Sequence, residues 1–261
     1  MISEVSDELE DVRGRVAFLT GAAEGLGHAV AVELARLGMK LALFDVQEGK
    51  LKALVDQLRG AGAEVHPIVA DLSDASATEA AAEDALGHFG VPRVLIHNAA
   101  VLKERTITEV TFADWRREVN VILQAAFLLS KAVWPGMMAA ESGSIVFVSS
   151  GSALSGFVKE TAYTPGKHAQ EGLMKVLSLQ GKGYNIAVNT VTTGAPIDTP
   201  MSAGHYTEEM KVGMVPPTAL APAFGFLAGI DAHFATGYRF NAYQLSEAMR
   251  ISLRSSGGDP E

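Results

Sequence analysis

The sequence contains no cysteine among its 261 residues, which excludes disulfide bonds, thiolate zinc sites and cysteine nucleophiles. No stretch reaches the roughly 18 consecutive apolar residues that cross a bilayer. The best candidate, residues 119–129, is interrupted by Asn120 and Gln124. Residues 1–12 are acidic and lack the basic start and apolar stretch of a signal peptide. We therefore expect a cytoplasmic protein that does not contact a membrane.

Positive charge is scarce, because 21 Lys and Arg against 30 Asp and Glu leave a formal net charge of −9. Nucleic-acid binding needs a basic surface, so this balance argues against it. The seven histidines are scattered, and none pairs with another at metal-ligand spacing, so we expect no metal site. A Gly-x-Ser-x-Gly elbow with partner acids is also lacking, which disfavours a serine hydrolase.

Apolar residues make up 48% of the chain, and they are grouped in short runs that predict a buried sheet. Near-continuous apolar strands are typical of a sheet that is covered on both faces. The runs are residues 16–19, 41–44, 65–69, 94–96, 145–148 and 186–188, with a weaker strand at 238–240.

The segments between these runs carry apolar residues at helical spacing. Leu26, Val30 and Leu34 belong to one such stripe, which is closed by Gly38. Alternating strands and helices predict βαβ units with right-handed crossovers and a mostly parallel α/β sheet. We see no linker and expect one domain over residues 1–261, with frayed tails at 1–12 and 253–261. Pro and Gly cluster at 194–225, which we interpret as a mobile flap over a pocket.

The string TGAAEGLG at residues 20–27 follows the first strand and opens the first helix. Gly21 permits the tight turn, Gly25 lets the backbone approach a pyrophosphate, and Gly27 allows close packing of helix and strand. The helix N-terminus then faces the phosphates with free N–H groups. The pattern predicts a dinucleotide site, and a glycine-rich turn without a ligand is the alternative.

Asp45 ends the second strand, 18 residues after Gly27, where a carboxylate can accept hydrogen bonds from the adenosine ribose. The same carboxylate repels a 2′-phosphate, and Glu24 adds a second negative charge inside the loop. We therefore predict NAD(H) rather than NADP(H). The alternative is that Asp45 is a solvated turn carboxylate.

Two further polar residues follow strands at the sheet edge where open α/β folds bind ligands. Asp71 follows the third strand and Asn98 follows the fourth. Asp71 has an alternative role as the cap of the helix that begins near Ser73 or Asp74.

Tyr163 and Lys167 lie four residues apart and therefore share one face of a predicted helix. An ammonium beside a phenol favours the phenolate, and moving the pKa of tyrosine from about 10 to about 7 takes about 4 kcal/mol. Tyr163 could then serve as a general base or acid for an alcohol or carbonyl oxygen, with Ser150 orienting that oxygen. Pro165 fits a first helical turn, so we expect the helix to begin just before Tyr163. The alternative for the pair is a solvated helix face.

In this combination the chain resembles the short-chain dehydrogenase/reductase family, in its compact single-domain branch. The resemblance covers residues 12–245 and rests on TGAAEGLG at 20–27, Asp45, Asp71, HNAA at 97–100, Asn120, Ser150 and YTPGK at 163–167. It implies a doubly wound Rossmann-type sheet of about seven strands with helices on both faces. It also implies a catalytic tetrad of Asn120, Ser150, Tyr163 and Lys167, in which Asn120 holds a water relay with Lys167.

The resemblance also implies how the cofactor and the subunits are held. Dimers or tetramers pack through two long helices, here residues 110–138 and 162–182, and we expect a homotetramer with Ala125, Leu128 and Leu129 as an outer apolar stripe. The expected cofactor-binding residues are Gly21, Glu24, Gly25, Leu26, Gly27, Asp45, Asp71, Leu72, Asn98, Ala99, Tyr163, Lys167 and Thr199.

The chain departs from the family pattern at three places. The usual Asn-Asn-Ala-Gly reads His97-Asn98-Ala99-Ala100, the usual Pro-Gly after the sixth strand reads Thr193-Gly194, and TGYRFNAYQLSE at 236–247 replaces a Gly-rich acidic finish. These changes fall on the substrate side, where we expect Leu154, Phe157, Val158, Ala195 and Met201 to line the pocket and His205 to contact substrate.

The combined pattern predicts an NAD(H)-dependent oxidoreductase that acts on a secondary alcohol or ketone. Two alternatives remain open: an NAD-binding regulatory protein that has lost turnover, and an enzyme that epimerises or dehydrates its substrate through a transient keto form.

Overall fold

The computed structural model describes residues 11–204 and 208–256, so His205 and Tyr206 of the expected flap lie outside the described residues. Seven segments pair into one sheet, and each contains or overlaps an apolar run of the sequence. The strands are β1 Val16–Thr20, β2 Lys40–Asp45, β3 Val65–Val69, β4 Val94–His97, β5 Gly143–Val148, β6 Ile186–Thr192 and β7 Arg239–Asn241.

The strands are ordered β3-β2-β1-β4-β5-β6-β7, and every neighbouring pair is parallel. The chain moves outward from β1 to β3, returns to β4 beside β1, and then moves outward the other way. This order is that of a doubly wound Rossmann-type sheet, which confirms the expected single-domain α/β fold. A crevice opens at the carboxyl ends of β1 and β4, where the direction reverses.

Helices connect the strands and cover both faces of the sheet. The last helix continues to Ser256, beyond residue 253, where we expected a frayed tail to begin. The helices are α1 Gly25–Arg36, α2 Glu48–Gly60, α3 Ala75–Phe89, α4 Phe112–Val119, α5 Ala125–Ala140, α6 Tyr163–Gly181, α7 Glu208–Lys211, α8 Ala221–Gly229 and α9 Ala242–Ser256.

The sheet is buried on both faces because successive side chains of a strand point to opposite sides. On β2, Leu41 and Leu43 join a core cluster with α1, α2 and α8, whereas Ala42 and Phe44 join a second cluster with α3, α5 and α6. This double burial explains why the strands read as continuous apolar runs rather than as alternating ones.

The long central helix is not regular, because residues Asn120–Gln124 between α4 and α5 form a π-helical segment. A π segment inserts an extra residue per turn and rotates everything that follows it. Ala125 and Leu129 are consequently fully buried in this chain's own core. The expected outer stripe was therefore wrong at Ala125 and Leu129, whereas Leu128 is half-buried. The large exposed apolar side chains of α5 and α6 are Phe127, Val176 and Leu179.

The helical stretch Phe112–Ala140 is long and apolar enough to cross a membrane by length and composition alone. In this fold 44% of its most apolar window is buried. Ala126, Leu129 and Val133 belong to the core cluster against the sheet.

Candidate active site

The glycine loop connects β1 to α1 with the geometry that its sequence indicates. Gly21 has a φ of +64°, a conformation that glycine adopts readily. A Cβ atom on Gly27 would lie 1.9 Å from the carbonyl oxygen of Gly21, so only glycine lets the helix approach the turn this closely. The side-chain amide of Asn98 holds the turn from β4, donating to the carbonyls of Thr20 (3.1 Å) and Gly21 (2.9 Å).

A cavity of about 880 Å³ opens above this loop and extends across the carboxyl ends of the strands. Most of the residues predicted to form the site line it. Gly27 lies beneath the loop and Asn120 lies behind the wall, so neither is on the lining. The predicted residues on the lining are Gly21, Glu24, Gly25, Leu26, Asp45, Asp71, Leu72, Asn98, Ala99, Ser150, Tyr163, Lys167 and Thr199.

Asp45 stands at the end of β2, and only 7% of it is exposed. One carboxylate oxygen accepts a hydrogen bond from the backbone N–H of Ala23 (2.9 Å) and the other from that of Gln47 (2.9 Å). The carboxylate is thus fixed between the glycine loop and the strand end. It is not a solvated turn residue.

Glu24 forms an ion pair with Lys50 at the outer rim of the same loop. The hydrogen bond from Lys50 lowers the pKa of Glu24 below its ordinary value. This end of the cavity therefore carries two carboxylates, and the charge of Glu24 is paired with that of Lys50.

Asp71 is not the cap of the following helix, because Asp74 has that role and accepts from the N–H of Ala77 (2.8 Å). Asp71 instead accepts from the N–H of Ser73 (3.0 Å) and pairs with Arg117 of α4 (3.3 Å). Both Asp71 and Arg117 line the cavity, so this ion pair joins its two sides. Sequence reasoning missed Arg117, which lies 46 positions away and belongs to no motif.

Tyr163 is the first residue of α6, and Lys167 follows one turn later. Both side chains are buried in the cavity wall, so the pair is not a solvated helix face. The Nζ atom of Lys167 lies 5.6 Å from the centroid of the Tyr163 ring. Burial lowers the pKa of Lys167 to about 7, and the carboxylate of Glu171 opposes this shift.

The ends of β5 and α6 are tied together at this point. Lys167 Nζ donates to the carbonyl oxygen of Val148 (2.5 Å) and to Oε1 of Gln170 (3.3 Å). Ser150 lies two residues after the end of β5 and caps a short 3₁₀ turn by accepting from the N–H of Ser152 (3.2 Å). The hydroxyl of Ser150 and the ring of Tyr163 consequently line one wall of the cavity.

Asn120 begins the π segment, and its side-chain amide donates to the carbonyl of Ser73 (2.9 Å). Two carbonyls of the segment are satisfied by side chains from other elements. His97 Nε2 lies 2.9 Å from the oxygen of Val121, and Gln170 Nε2 lies 3.0 Å from that of Ile122. The irregular segment is thereby anchored to β4 and α6.

His97 is fully buried and connects three parts of the site. Its Nδ1 lies 3.0 Å from the hydroxyl oxygen of Thr20, which already accepts the N–H groups of Asn98 (3.1 Å) and Ala99 (3.0 Å). That hydroxyl hydrogen must therefore point to Nδ1, and the Nε2–H donates to Val121. Burial and the nearby charge of Lys167 lower the pKa of His97 to about 3, so the ring is neutral.

The segments that depart from the family pattern pack against each other beside the cavity. Thr193 and Gly194 line it, and Asn241 of β7 packs against Gly194. Residues 236–247 form β7 and run directly into α9. Thr199 lies beside Gly25, and its hydroxyl is 2.9 Å from that of Ser202.

The substrate side of the cavity is mainly apolar. Phe157, Val158, Ala195 and Met201 line it as expected, together with other apolar residues of the 101–102 and 196–197 segments. Leu154 is 70% exposed and lies off the lining, because the 3₁₀ turn before it buries Ser152 and Ala153 instead. Within residues 11–204 and 208–256, no group of three or more His, Asp or Glu residues is placed to hold a metal ion.

An ion pair behind the cavity wall was not indicated by any sequence pattern. Arg239 of β7 and Glu171 of α6 are joined to each other and to the hydroxyl of Ser149. Glu171 lies 68 positions from Arg239 and 22 positions from Ser149, so spacing along the chain does not indicate these contacts.

Comparison with known proteins identifies the relatives of this chain. Trans-4-hydroxycyclohexanecarboxylate dehydrogenase from Sinomonas cyclohexanicum is 32% identical over 248 residues, which cover 90% of this chain and 93% of that protein. Cyclohexanol dehydrogenase from Acinetobacter sp. (strain SE19) is 31% identical over 232 residues, which cover 87% and 92%.

Solved structures give the same result. A blue fluorescent protein from a metagenomic library, solved in complex with NADPH, is similar with a TM-score of 0.81 and 28% identity, over 89% of this chain and 97% of that one. A family model described as short chain dehydrogenase matches residues 15–210. The chain therefore belongs to the short-chain dehydrogenase family of oxidoreductases.

Proposed function

We propose that this protein is an NAD(H)-dependent oxidoreductase that interconverts a secondary alcohol and a ketone. The observation that carries the proposal is the position of Tyr163 and Lys167. Both line the same cavity as the glycine loop and Asp45. A cofactor site and a proton-transfer site thus share one space.

The cavity fits a nicotinamide dinucleotide at its loop end. The N-terminus of α1 would hold the pyrophosphate with its free N–H groups, and Asp45 is placed where it could accept from ribose hydroxyls. When bound, the cofactor supplies the hydride acceptor for alcohol oxidation or the hydride donor for carbonyl reduction.

The chain's own residues manage the proton and the orientation. Tyr163 Oη takes the proton from the alcohol oxygen in oxidation and returns it to the carbonyl oxygen in reduction. The ammonium of Lys167 favours the phenolate of Tyr163. Ser150 Oγ donates a hydrogen bond to the same substrate oxygen and fixes its position. Asn120 supports a proton relay behind Lys167 by holding the π segment against Ser73.

The preference for NAD(H) over NADP(H) is supported by charge. Asp45 and Glu24 put two carboxylates at the loop end, where a 2′-phosphate would need a cation. Lys50 is the cation nearest to Glu24, and it is already paired with that residue. Michaelis constants for the two cofactors test the preference, and a lower constant for NADP would refute it.

The apolar walls favour a compact alicyclic substrate over a sugar. Phe157, Val158 and Met201 offer apolar contact area, and the charged side chains on this part of the lining are those of Glu104, Lys159 and Glu160. Two relatives are named for alcohols on a cyclohexane ring. We therefore infer that cyclohexanol-type alcohols are oxidised with a kcat/KM at least about tenfold above that for sugar alcohols, since an apolar ring buries surface there.

We also infer a cytoplasmic homo-oligomer, and a tetramer as its size. Phe127 on α5 with Val176 and Leu179 on α6 leave apolar surface exposed on the two long helices. Single exposed apolar side chains are common, but a shared face of two helices favours a subunit contact. Sedimentation of the purified protein measures the size directly.

The function is tested by comparing the wild type with Tyr163→Phe over a panel of alicyclic ketones and alcohols. We expect Tyr163→Phe to lose at least about a hundredfold in kcat, which is within the range of general acid–base catalysis, while it binds NADH normally. Binding without any Tyr163-dependent turnover would identify the regulatory alternative. Product formation without added cofactor would identify epimerisation or dehydration.

A further inference from the structure

We propose that Arg239 is a positioning residue for the proton-transfer site, acting through the backbone of Ser150 and the carboxylate of Glu171. The proposal rests on the proposed function and adds a residue outside its tetrad. Arg239 does not line the cavity, so any effect on catalysis has to pass through the residues that it contacts.

The guanidinium of Arg239 makes contacts in three directions. Its Nη2 donates to the carbonyl oxygen of Ser150 (2.7 Å), and its Nη1 donates to the hydroxyl of Ser149 (2.8 Å) and pairs with Glu171. Most of the Arg239 and Glu171 side chains is buried, with exposed fractions of 20% and 13%. A planar fork with several N–H donors suits such an arrangement, and a single ammonium cannot reproduce it.

Glu171 is satisfied on both carboxylate oxygens. Oε1 accepts from Ser149 (2.5 Å) and Arg239, and Oε2 accepts from the hydroxyl of Thr190 (2.9 Å). Thr190 and Arg239 are register partners on β6 and β7. The neighbouring strands therefore present both side chains to the same carboxylate.

These contacts fix the segment that delivers Ser150. Lys167 holds the carbonyl of Val148, Glu171 and Arg239 hold the side chain of Ser149, and Arg239 holds the carbonyl of Ser150. Three successive residues at the end of β5 are thus each fixed by a side chain. Without Arg239, the carbonyl of Ser150 keeps only the backbone N–H of Ala153 (3.0 Å) as its donor, and the hydroxyl can move relative to Tyr163.

The same ion pair also sets the charge around Lys167. The titratable side chains near Lys167 are Glu171 one turn later, Tyr163 one turn earlier, and the neutral His97 on β4, and the charge of Glu171 is the one that shifts the pKa of Lys167. Glu171 raises the pKa of Lys167, against the larger effect of burial. Arg239 neutralises part of that carboxylate, so the proton affinity of the Tyr163–Lys167 pair depends on both residues.

The two roles make separate predictions for carbonyl reduction, which needs the proton held by this pair. Removing a negative charge lowers the pKa values of a coupled pair, and removing a positive charge raises them. The alkaline limb of kcat should therefore move to lower pH in Glu171→Gln and to higher pH in Arg239→Met. A purely structural role would reduce activity without opposite shifts.

The experiment compares kcat, its pH profile and NADH affinity in Arg239→Met, Arg239→Lys and Glu171→Gln. We expect Arg239→Met to lower kcat by roughly tenfold to a hundredfold, because small misplacements of reacting groups have effects of that size. The dissociation constant for NADH should stay within about twofold, since Arg239 is away from the cavity. Arg239→Lys should return the alkaline limb to its wild-type pH while kcat stays reduced.

The ion pair Glu33–Arg36 on α1 provides matched controls, because Glu33→Gln and Arg36→Met make the same charge changes off the cavity lining. These controls should keep wild-type profiles. A kcat for Arg239→Met within about twofold of wild type, or limbs that move in the same direction, would overturn the proposal. Tyr163→Phe in the same assay separates this proposal from the proposed function. If Tyr163→Phe abolishes turnover, an overturning result for Arg239 leaves the proposed function intact. If Tyr163→Phe keeps its turnover, the proposed function fails as well.

Discussion

Mild acid should destabilise this protein through His97, and the size of the effect follows from its burial. The ring is fully buried and neutral, with Nδ1 receiving the hydrogen of Thr20 and Nε2–H donating to Val121. A protonated ring would carry a hydrogen on Nδ1 as well, and this hydrogen would meet the hydroxyl hydrogen that Thr20 already donates to Nδ1. Protonation therefore opposes the hydrogen bonds that join the glycine loop, β4 and the π segment.

The sign and magnitude follow from linkage. Burial and the charge of Lys167 lower the pKa of His97 to about 3, from its ordinary value of 6.5. Between these pH values the unfolded state binds one more proton than the folded state, so the free energy of unfolding falls as the pH falls below 6.5. At pH 5 the loss is about 2 kcal/mol relative to pH 7.5, at 1.36 kcal/mol per pH unit.

Urea unfolding of the wild type and His97→Asn at pH 7.5 and 5.0 measures this loss. Asparagine is neutral at both pH values, so the variant should lose about 2 kcal/mol less than the wild type on acidification, whatever its stability at pH 7.5. His168→Asn removes an exposed histidine of α6 and serves as the control. Equal losses in the wild type and His97→Asn, within about 0.5 kcal/mol, would refute a buried neutral His97.

Three further outcomes are expected. Gly27→Ala should weaken NADH binding at least about tenfold in a fluorescence titration, because the added Cβ would lie 1.9 Å from the Gly21 carbonyl oxygen. Gly49→Ala on α2 is the control and should bind NADH normally, because a Cβ there meets nothing within 4 Å. Asn120→Ala should lower the melting temperature by about 2–4 °C, as expected for one lost hydrogen bond of about 1 kcal/mol to Ser73; an unchanged value would contradict that contact. Lys167→Met should abolish turnover yet raise the free energy of unfolding at pH 7. The stability difference between the variant and the wild type should shrink towards pH 10, because the folded wild type no longer has to keep a charged lysine buried.

The fold was predictable because its strands and helices have strong local signatures. Buried parallel strands read as apolar runs, and each observed strand contains or overlaps one. The exposed face of α5 was not predictable, because the sequence of residues 120–124 does not indicate a π segment. The carbonyls of that segment accept hydrogen bonds from His97 and Gln170, which come from distant elements.

The residues of the site also differ in whether local sequence motifs indicate them. The glycine loop and the Tyr163–Lys167 pair are contiguous motifs whose spacing carries their geometry. Asp45 was found because it ends a strand at the right distance from the loop. Arg239 was visible only as part of a segment that departs from the family pattern, because its partners Ser149 and Glu171 meet it through pairing of β5, β6 and β7.

The burial of Lys167 helps to decide between an enzyme and a regulatory protein on the same fold. Lowering its pKa from 10.5 to about 7 means that the folded state gives up about 4 kcal/mol at pH 7, at 1.36 kcal/mol per unit. The bond to Val148 recovers only about 1–3 kcal/mol of this. A protein that held its cofactor through the glycine loop and Asp45 alone would be more stable with methionine at this position, because neither of them needs the ammonium. The cost of the buried amine therefore indicates a role for Lys167 at the Tyr163 end of the cavity, and the Tyr163→Phe comparison tests whether that role is proton transfer.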